Sequence, residues 1–306
     1  MQSNDTLAIG QTRAVGPFQI GRLAYGCWRF AGTALEDARA KVEAALAIGA
    51  NLIDIADVYG YGKTGFGEAE ERLGDLLAAS PGLRKRMVLV TKGGVWPPIP
   101  YDSRREYLIA ACEASLRRLK TDTIDLYLIH RPDLLAAHEE VAEALSQLRQ
   151  VGKLREAGVS NHSVAQTRAL QCFLDFPLVA TQPQISAWVT DALFDGTLDY
   201  AQEAALAPMA WSPLAGGALA TGRAPADGGE RFAALLAALD AIAEANDTAR
   251  DTAAMAWLLA HPAGIVPIIG SQAPERIGAA AAAYQVRMTR GQWYAVLEAS
   301  LGRRMP

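Results

Sequence analysis

The stretch DVYGYGKTG (residues 57–65) contains both G-x-G-x-x-G, as Gly60, Gly62 and Gly65, and a Gly-Lys-Thr. The apolar run NLIDIA (51–56) precedes it and the amphipathic run GEAEERLGDLLAA (67–79) follows. That is the strand–loop–helix setting of a phosphate-binding loop. A Walker loop needs a glycine five positions before Gly62, and Asp57 stands there. A dinucleotide loop rests its diphosphate on the N-terminus of the next helix. Glu68, Glu70 and Glu71 fill that first turn, where they suit the helix dipole and repel phosphate. The acid expected about 20 residues further on is missing, because the next strand-like run, MVLVTK (87–92), ends in Lys92. A 2′-phosphate site is the one variant that still allows a lysine. The loop reads as carrying something other than phosphate.

Outward from it, short β-branched runs alternate with Ala-rich amphipathic ones. The strand candidates are 22–27, 51–56, 87–92, 125–130, 155–160, 178–185, 207–212 and 264–271. Helical patterns lie between them, including 36–49, 105–120 and 138–152. Strands this apolar are buried on both faces, as in a parallel sheet covered by helices. Eight strand–helix units in about 250 residues predict an α/β fold, a (β/α)8 TIM barrel; a doubly wound sheet is the competing arrangement. No break in composition marks a linker, so residues 1–306 are expected to form a single domain. AVGPFQIGRL (14–23) predicts an N-terminal hairpin closing the barrel floor, and TRGQWYAVLEASLG (289–302) a peripheral C-terminal helix with too little chain after it for a long substrate-covering loop.

The chain has 306 residues, is 51% hydrophobic and carries a formal charge of −4, with no basic block to attract nucleic acid. No apolar run approaches the ~20 residues of a membrane span, and MQSNDTLAIGQTR at the N-terminus is polar. Cys27, Cys112 and Cys172 show no metal spacing and read as reduced, buried thiols of a cytoplasmic protein. The four histidines form no H-x-x-x-H pair, so no metal is expected. A monomer or weak homo-oligomer is expected.

A barrel places its chemistry at the C-terminal ends of the strands. Asp54, Lys92, His130, Ser160–Asn161, Gln182, Trp211–Ser212 and Gly270–Ser271 fall at or near the ends of strands two to eight. The long interval before Ser271 holds GGALATGRAPADGGE (216–230), a glycine-rich candidate lid with few apolar anchors. Lys92 is one of only six lysines and alone ends an apolar strand. A buried lysine is costly unless paired, and Asp54, one strand away, is its natural partner. A structural ion pair explains the two by themselves, but Tyr59 and His130 converge on the same pocket. Together the four suit protonation of a carbonyl oxygen as hydride arrives. A tyrosine is a poor acid at neutral pH unless a cation lowers its pKa; Lys92 would do so while Asp54 holds the lysine charged. Neutral His130 would orient the carbonyl by a hydrogen bond.

IDIADVYG, LVTKGG, LIHRPD, GVSNH, WSPLAGG and IIGSQAPERI occur in this order. Over nearly the whole chain they resemble the aldo-keto reductase family. The resemblance implies Tyr59 as general acid in a tetrad with Asp54, Lys92 and His130, and NADP(H) extended across the barrel mouth. It implies Ser160, Asn161 and Gln182 on the nicotinamide carboxamide, and Trp211, in place of the usual tyrosine, stacked on the nicotinamide ring. Ser212, Leu214 and Gly216 would line the diphosphate. Gly270, Ser271 and Arg276 match the adenosine 2′-phosphate site, where many relatives carry a basic residue at the position of Gly270. Ala279 and Ala280 replace a Glu–Asn pair that often holds the adenine.

Trp28 and Trp96, with Tyr101, fall in rim loops as candidate substrate contacts; core packing competes for Trp28. Arg29 and Arg131 follow strand ends, either favouring an anionic or hydroxylated substrate or simply solvated. His138, His162 and His261 read as non-catalytic, with His162 at the pocket edge. The expected partner is a small carbonyl compound, reduced by NADPH to an alcohol. Two other readings compete. One is a regulatory protein keeping fold and cofactor; the other is a Schiff-base aldolase using Lys92, for which Asp54 is a poor neighbour because it favours the protonated amine.

Overall fold

The computed structural model describes residues 6–306. Strands β1 (Thr12–Val15) and β2 (Phe18–Gly21) form an antiparallel hairpin. Eight parallel strands then close into a barrel: β3 (Ala24–Gly26), β4 (Leu52–Asp54), β5 (Val88–Gly93), β6 (Ile124–Ile129), β7 (Leu154–Ser160), β8 (Ala180–Gln182), β9 (Ala207–Ala210) and β10 (Val266–Ile269). Their order round the barrel follows the chain, and β10 pairs with β3 to close it. The expected (β/α)8 architecture is the observed one. Every expected strand is present, several trimmed to three or four residues because ladder pairing ends before the apolar run does.

The helices are α1 (Leu35–Ala47), α2 (Glu68–Ala79), α3 (Arg105–Leu119), α4 (His138–Gln150), α5 (Val164–Gln171), α6 (Thr197–Glu203), α7 (Ala218–Thr221), α8 (Gly229–Ala245), α9 (Arg250–Leu259), α10 (Pro274–Ala279) and α11 (Arg290–Leu301). None is long and apolar enough to cross a membrane among the described residues. β5 and β6 are buried at every position, as strands covered on both faces must be. Inside the barrel Ala24, Leu52, Val90, Leu126, Leu128, Met209, Val266 and Ile268 form one apolar plug, and Val15 and Ile20 of the hairpin join it. The hairpin thus covers the floor, as expected. Arg13 ties it down through bonds to the carbonyls of Leu206, Ala263 and Gly264.

The candidate lid begins as structure rather than open loop. Leu219 of α7 is fully buried, and the segment ends at α8, which runs alongside α11 and bonds it through Arg231 Nη1 and the Ser300 carbonyl at 3.0 Å. A single leucine suffices as an anchor because the short helix lies against α9. The thiols also differ from expectation. Cys27 and Cys112 are buried, but Cys172 is exposed at the end of α5, on the turn that leaves the helix's buried stripe. Among the described residues no cluster of His, Cys, Asp or Glu could hold a metal.

Candidate active site

The loop after β4 turns on Gly60. Its φ is 106°, and a Cβ there would lie 2.4 Å from the Gly65 carbonyl, so only glycine closes the turn. The Gly60 carbonyl accepts from the amides of Lys63, Thr64 and Gly65. This tight coil sets the half-buried Tyr59 over the barrel mouth. No anion cradle forms at α2, where carboxylates fill the first turn. Glu68 accepts from the Gly32 amide, and fully buried Glu70 accepts from Thr91 Oγ1 at 2.5 Å and Arg118 Nε at 2.7 Å.

Lys92 projects from β5 into the mouth and is fully buried. Its Nζ donates to Asp54 Oδ2 at 2.8 Å, to the Ile55 carbonyl at 2.8 Å and to the Tyr59 hydroxyl at 3.2 Å. Three acceptors use all three of its donors. Burial works against the ammonium, but the charge of Asp54 and the bonds to Asp54 and Tyr59 outweigh it, and the pKa lies above the usual lysine value. Lys92 is therefore a fixed cation, unsuited to Schiff-base attack. Tyr59 departs from expectation: burial raises its phenol above the ordinary value despite the opposing pull of Lys92. Desolvation of the phenolate exceeds what one ammonium returns.

Half-buried His130 follows β6 and meets Tyr59 edge-on, ring centroids 5.9 Å apart. Burial, then Lys92 and Arg131, hold its pKa well below the usual histidine value, so the imidazole is neutral. Its Nδ1 is buried and unbonded among the described residues. Arg131 lies with its guanidinium 5.8 Å from the Trp211 ring centroid.

The tetrad continues into the other strand ends. Gln182 Nε2 donates to Asp54 Oδ1 at 2.8 Å, and Ser160 Oγ donates to the Gln182 carbonyl at 2.9 Å. Asn161 Nδ2 donates to Ser160 Oγ at 2.8 Å, and Trp211 Nε1 donates to Asn161 Oδ1 at 2.9 Å. One hydrogen-bonded chain thus links Trp211, Asn161, Ser160, Gln182, Asp54, Lys92 and Tyr59. Sequence reasoning placed these residues on one rim but missed the Gln182–Asp54 contact. His162 Nδ1 bonds the Ser160 carbonyl at 3.0 Å, and burial lowers its pKa to about 4.

Beyond Trp211 the chain enters left-handed backbone at Ser212, Ala215, Gly216 and Gly217. Ser212 Oγ accepts from the Gly216 amide at 2.8 Å, Leu214 caps the following turn, and the space beside Gly216 and Gly217 is open. At the end of β10, Ser271 bonds the Ala273 amide at 3.3 Å, and Arg276 on α10 is exposed. The Gly270 carbonyl accepts from Arg29 Nη1 at 2.9 Å, a contact between distant chain segments that the sequence reading did not anticipate. Trp28 and Trp96 are both exposed; Trp96 packs against Phe66 and Tyr107. Leu134 and Leu135 of the next rim loop are more exposed still and had no sequence signal beyond their place after β6.

Comparison with known proteins agrees with this fold. The model of the Aldo/keto reductase family matches residues 22–300. A 6-dehydroglucose reductase of Novosphingobium aromaticivorans is 50% identical over 290 residues, covering 94% of each chain. A glycerol dehydrogenase of Gluconobacter oxydans has a similar structure, with a TM-score of 0.81 and 26% identity over 100% of this chain and 98% of that one. An aldo/keto reductase of Klebsiella pneumoniae, solved in complex with NADP and acetate, has a TM-score of 0.78 and 27% identity, covering 97% and 98%. The chain belongs to the aldo/keto reductase family.

Proposed function

We propose that the protein, folded as one domain, is an NADP(H)-dependent oxidoreductase that reduces an aldehyde or ketone to an alcohol, with Tyr59 as general acid. The observation that carries this reading is Lys92 Nζ, held between Asp54 Oδ2 and the Tyr59 hydroxyl. That arrangement stabilises negative charge on Tyr59 at the moment a proton leaves it. The raised phenol pKa keeps the proton in place beforehand. Neutral His130 donates a hydrogen bond to the carbonyl oxygen and aligns it with the phenol. Asp54, braced by Gln182, keeps Lys92 charged.

The chemistry of the rim fits a phosphorylated nicotinamide dinucleotide. Trp211 offers an aromatic face and the Oε1 of Gln182 an acceptor, while Ser160 and Asn161 would exchange their present bonds for ones to a carboxamide. The open space beside Gly216, in the turn that Ser212 and Leu214 lead into, leaves room for a diphosphate. Ser271 and Arg276 offer a hydroxyl and a guanidinium for a phosphate. NADP(H) bound there would supply the hydride. A dehydro-sugar, as in the name of the Novosphingobium relative, is the first substrate class to test. Arg131, half-buried beside His130 and Trp211, suits a hydroxyl-rich substrate.

The test is NADPH oxidation across a panel of carbonyl compounds including 6-dehydroglucose and simple aldehydes. Turnover with at least one is expected. Tight NADPH binding with no turnover on any of them would point instead to a cofactor-holding regulatory role.

A further inference from the structure

Position 270 carries no side chain, yet its surroundings are not empty of charge. β10 pairs with β3, so the loop after β3 lies beside the end of β10. From that loop Arg29 Nη1 bonds the Gly270 carbonyl at 2.9 Å. A Cβ built on Gly270 would lie 3.9 Å from the same nitrogen and would meet nothing else that close. The guanidinium therefore stands where a side chain at 270 would leave the backbone.

It is also held ready. Its Cζ lies 5.0 Å from the Trp28 ring centroid, and one carbonyl bond leaves four of its five N–H donors uncommitted. It makes no ion pair among the described residues and is exposed. An arginine fixed by a ring and a carbonyl loses little freedom on meeting an anion. Arg131, not Arg29, is the arginine that acts on His130, so Arg29 serves the β10 end of the mouth and not the reacting carbonyl.

We propose that Arg29 pairs with the adenosine 2′-phosphate of NADP(H) and sets preference for it over NAD(H), replacing from another strand the cation that position 270 lacks. This rests on the dinucleotide reading above, in which Ser271 and Arg276 face the same phosphate. Arg29 and Arg276 then reach toward Ser271 from different parts of the chain, one from the loop after β3 and one from α10.

Dissociation constants for NADPH and NADH, measured by nicotinamide fluorescence at one fixed salt concentration, test it in wild type, Arg29→Ala and the double variant Arg29→Ala/Gly270→Lys. Arg29→Ala should weaken NADPH roughly 10- to 100-fold, the range of a charge-assisted bond to phosphate, and leave NADH little changed. The added lysine should restore NADPH. Unchanged NADPH binding, or an equal loss for both dinucleotides, would overturn the assignment. So would a selective loss that the lysine does not repair, because the arginine would then act by holding its loop. If wild-type protein binds neither dinucleotide, the reading under Proposed function fails first and this one with it.

Discussion

Gln182 and Asp54 meet across the barrel mouth, Nε2 to Oδ1 at 2.8 Å, although β8 and β4 are not neighbours in the sheet. The contact gives the second oxygen of Asp54 its partner, the first being Lys92. Each half of the site thereby fixes the other.

Replacing Gln182 by Met keeps the volume and removes the donor. Asp54 is 3% exposed, so its Oδ1 would be left buried and unpaired. The expected cost is about 1–3 kcal/mol of folding stability, read from the urea midpoint at unchanged slope. A midpoint equal to wild type would mean that water takes over the role of the amide.

Tyr59→Phe removes only the hydroxyl that Lys92 holds at 3.2 Å. Carbonyl reduction should fall by about 10²–10⁴-fold, the usual weight of general acid catalysis, with NADPH affinity nearly intact. Steady-state rates and fluorescence titration on the same preparation separate the two effects. A variant with most of its activity would free Tyr59 of the acid role.

Lys92 was legible from sequence because a lysine ending an apolar run has few physical excuses, and Asp54 because it ends the neighbouring strand. Tyr59 was legible because its loop follows Asp54 directly and a cation beside a tyrosine suits an acid, and the family resemblance implied the same role. Contacts across the barrel were not legible. The Gln182–Asp54 bond joins strands that are four apart, and Arg29–Gly270 spans the seam where the last strand meets the first. Periodicity reports which face of an element is apolar, not which side chains meet once the sheet closes. The sign of the Tyr59 shift failed for a related reason: the pull of Lys92 follows from proximity, but burial depends on every loop around the mouth.

The C-terminal helix, expected as peripheral, is clamped to the barrel's outer layer. Trp257 of α9 and Trp293 of α11 stack at 4.9 Å with rings 10° apart, and each indole Nε1 donates to the other's backbone carbonyl at 3.0 Å. Trp293→Phe should cost about 1–3 kcal/mol, the sum of one hydrogen bond and part of the stacking. The rate per folded molecule should not change, because both residues lie outside the strand ends. A loss of activity exceeding the loss of folded protein would contradict a purely structural clamp.

The last expectation concerns Asp57, which stands two residues before Tyr59 and is 1% exposed with both carboxylate oxygens unbonded among the described residues. It adjoins the equally unbonded Tyr127 hydroxyl at Gly93, where a Cβ would lie 2.0 Å from that hydroxyl and 3.5 Å from Asp57 Oδ2. Burial, then the charge of Glu70, raises its pKa well above the usual aspartate value, with Arg118 and Lys92 opposing. A carboxyl with a raised folded pKa binds more protons folded than unfolded, so stability falls as pH rises above the unfolded value. Its contribution is complete below about pH 4 and declines as pH rises until the folded pKa is passed. Asp57→Asn cannot ionise, so its stability relative to wild type should grow as pH rises from about 4 and level off once the folded pKa is passed. Urea denaturation of both proteins across that range gives the difference directly, and other titrating groups cancel in it. A difference that stays flat with pH would show that Asp57 is already charged in the fold, and the two unbonded oxygens would then have to be solvated.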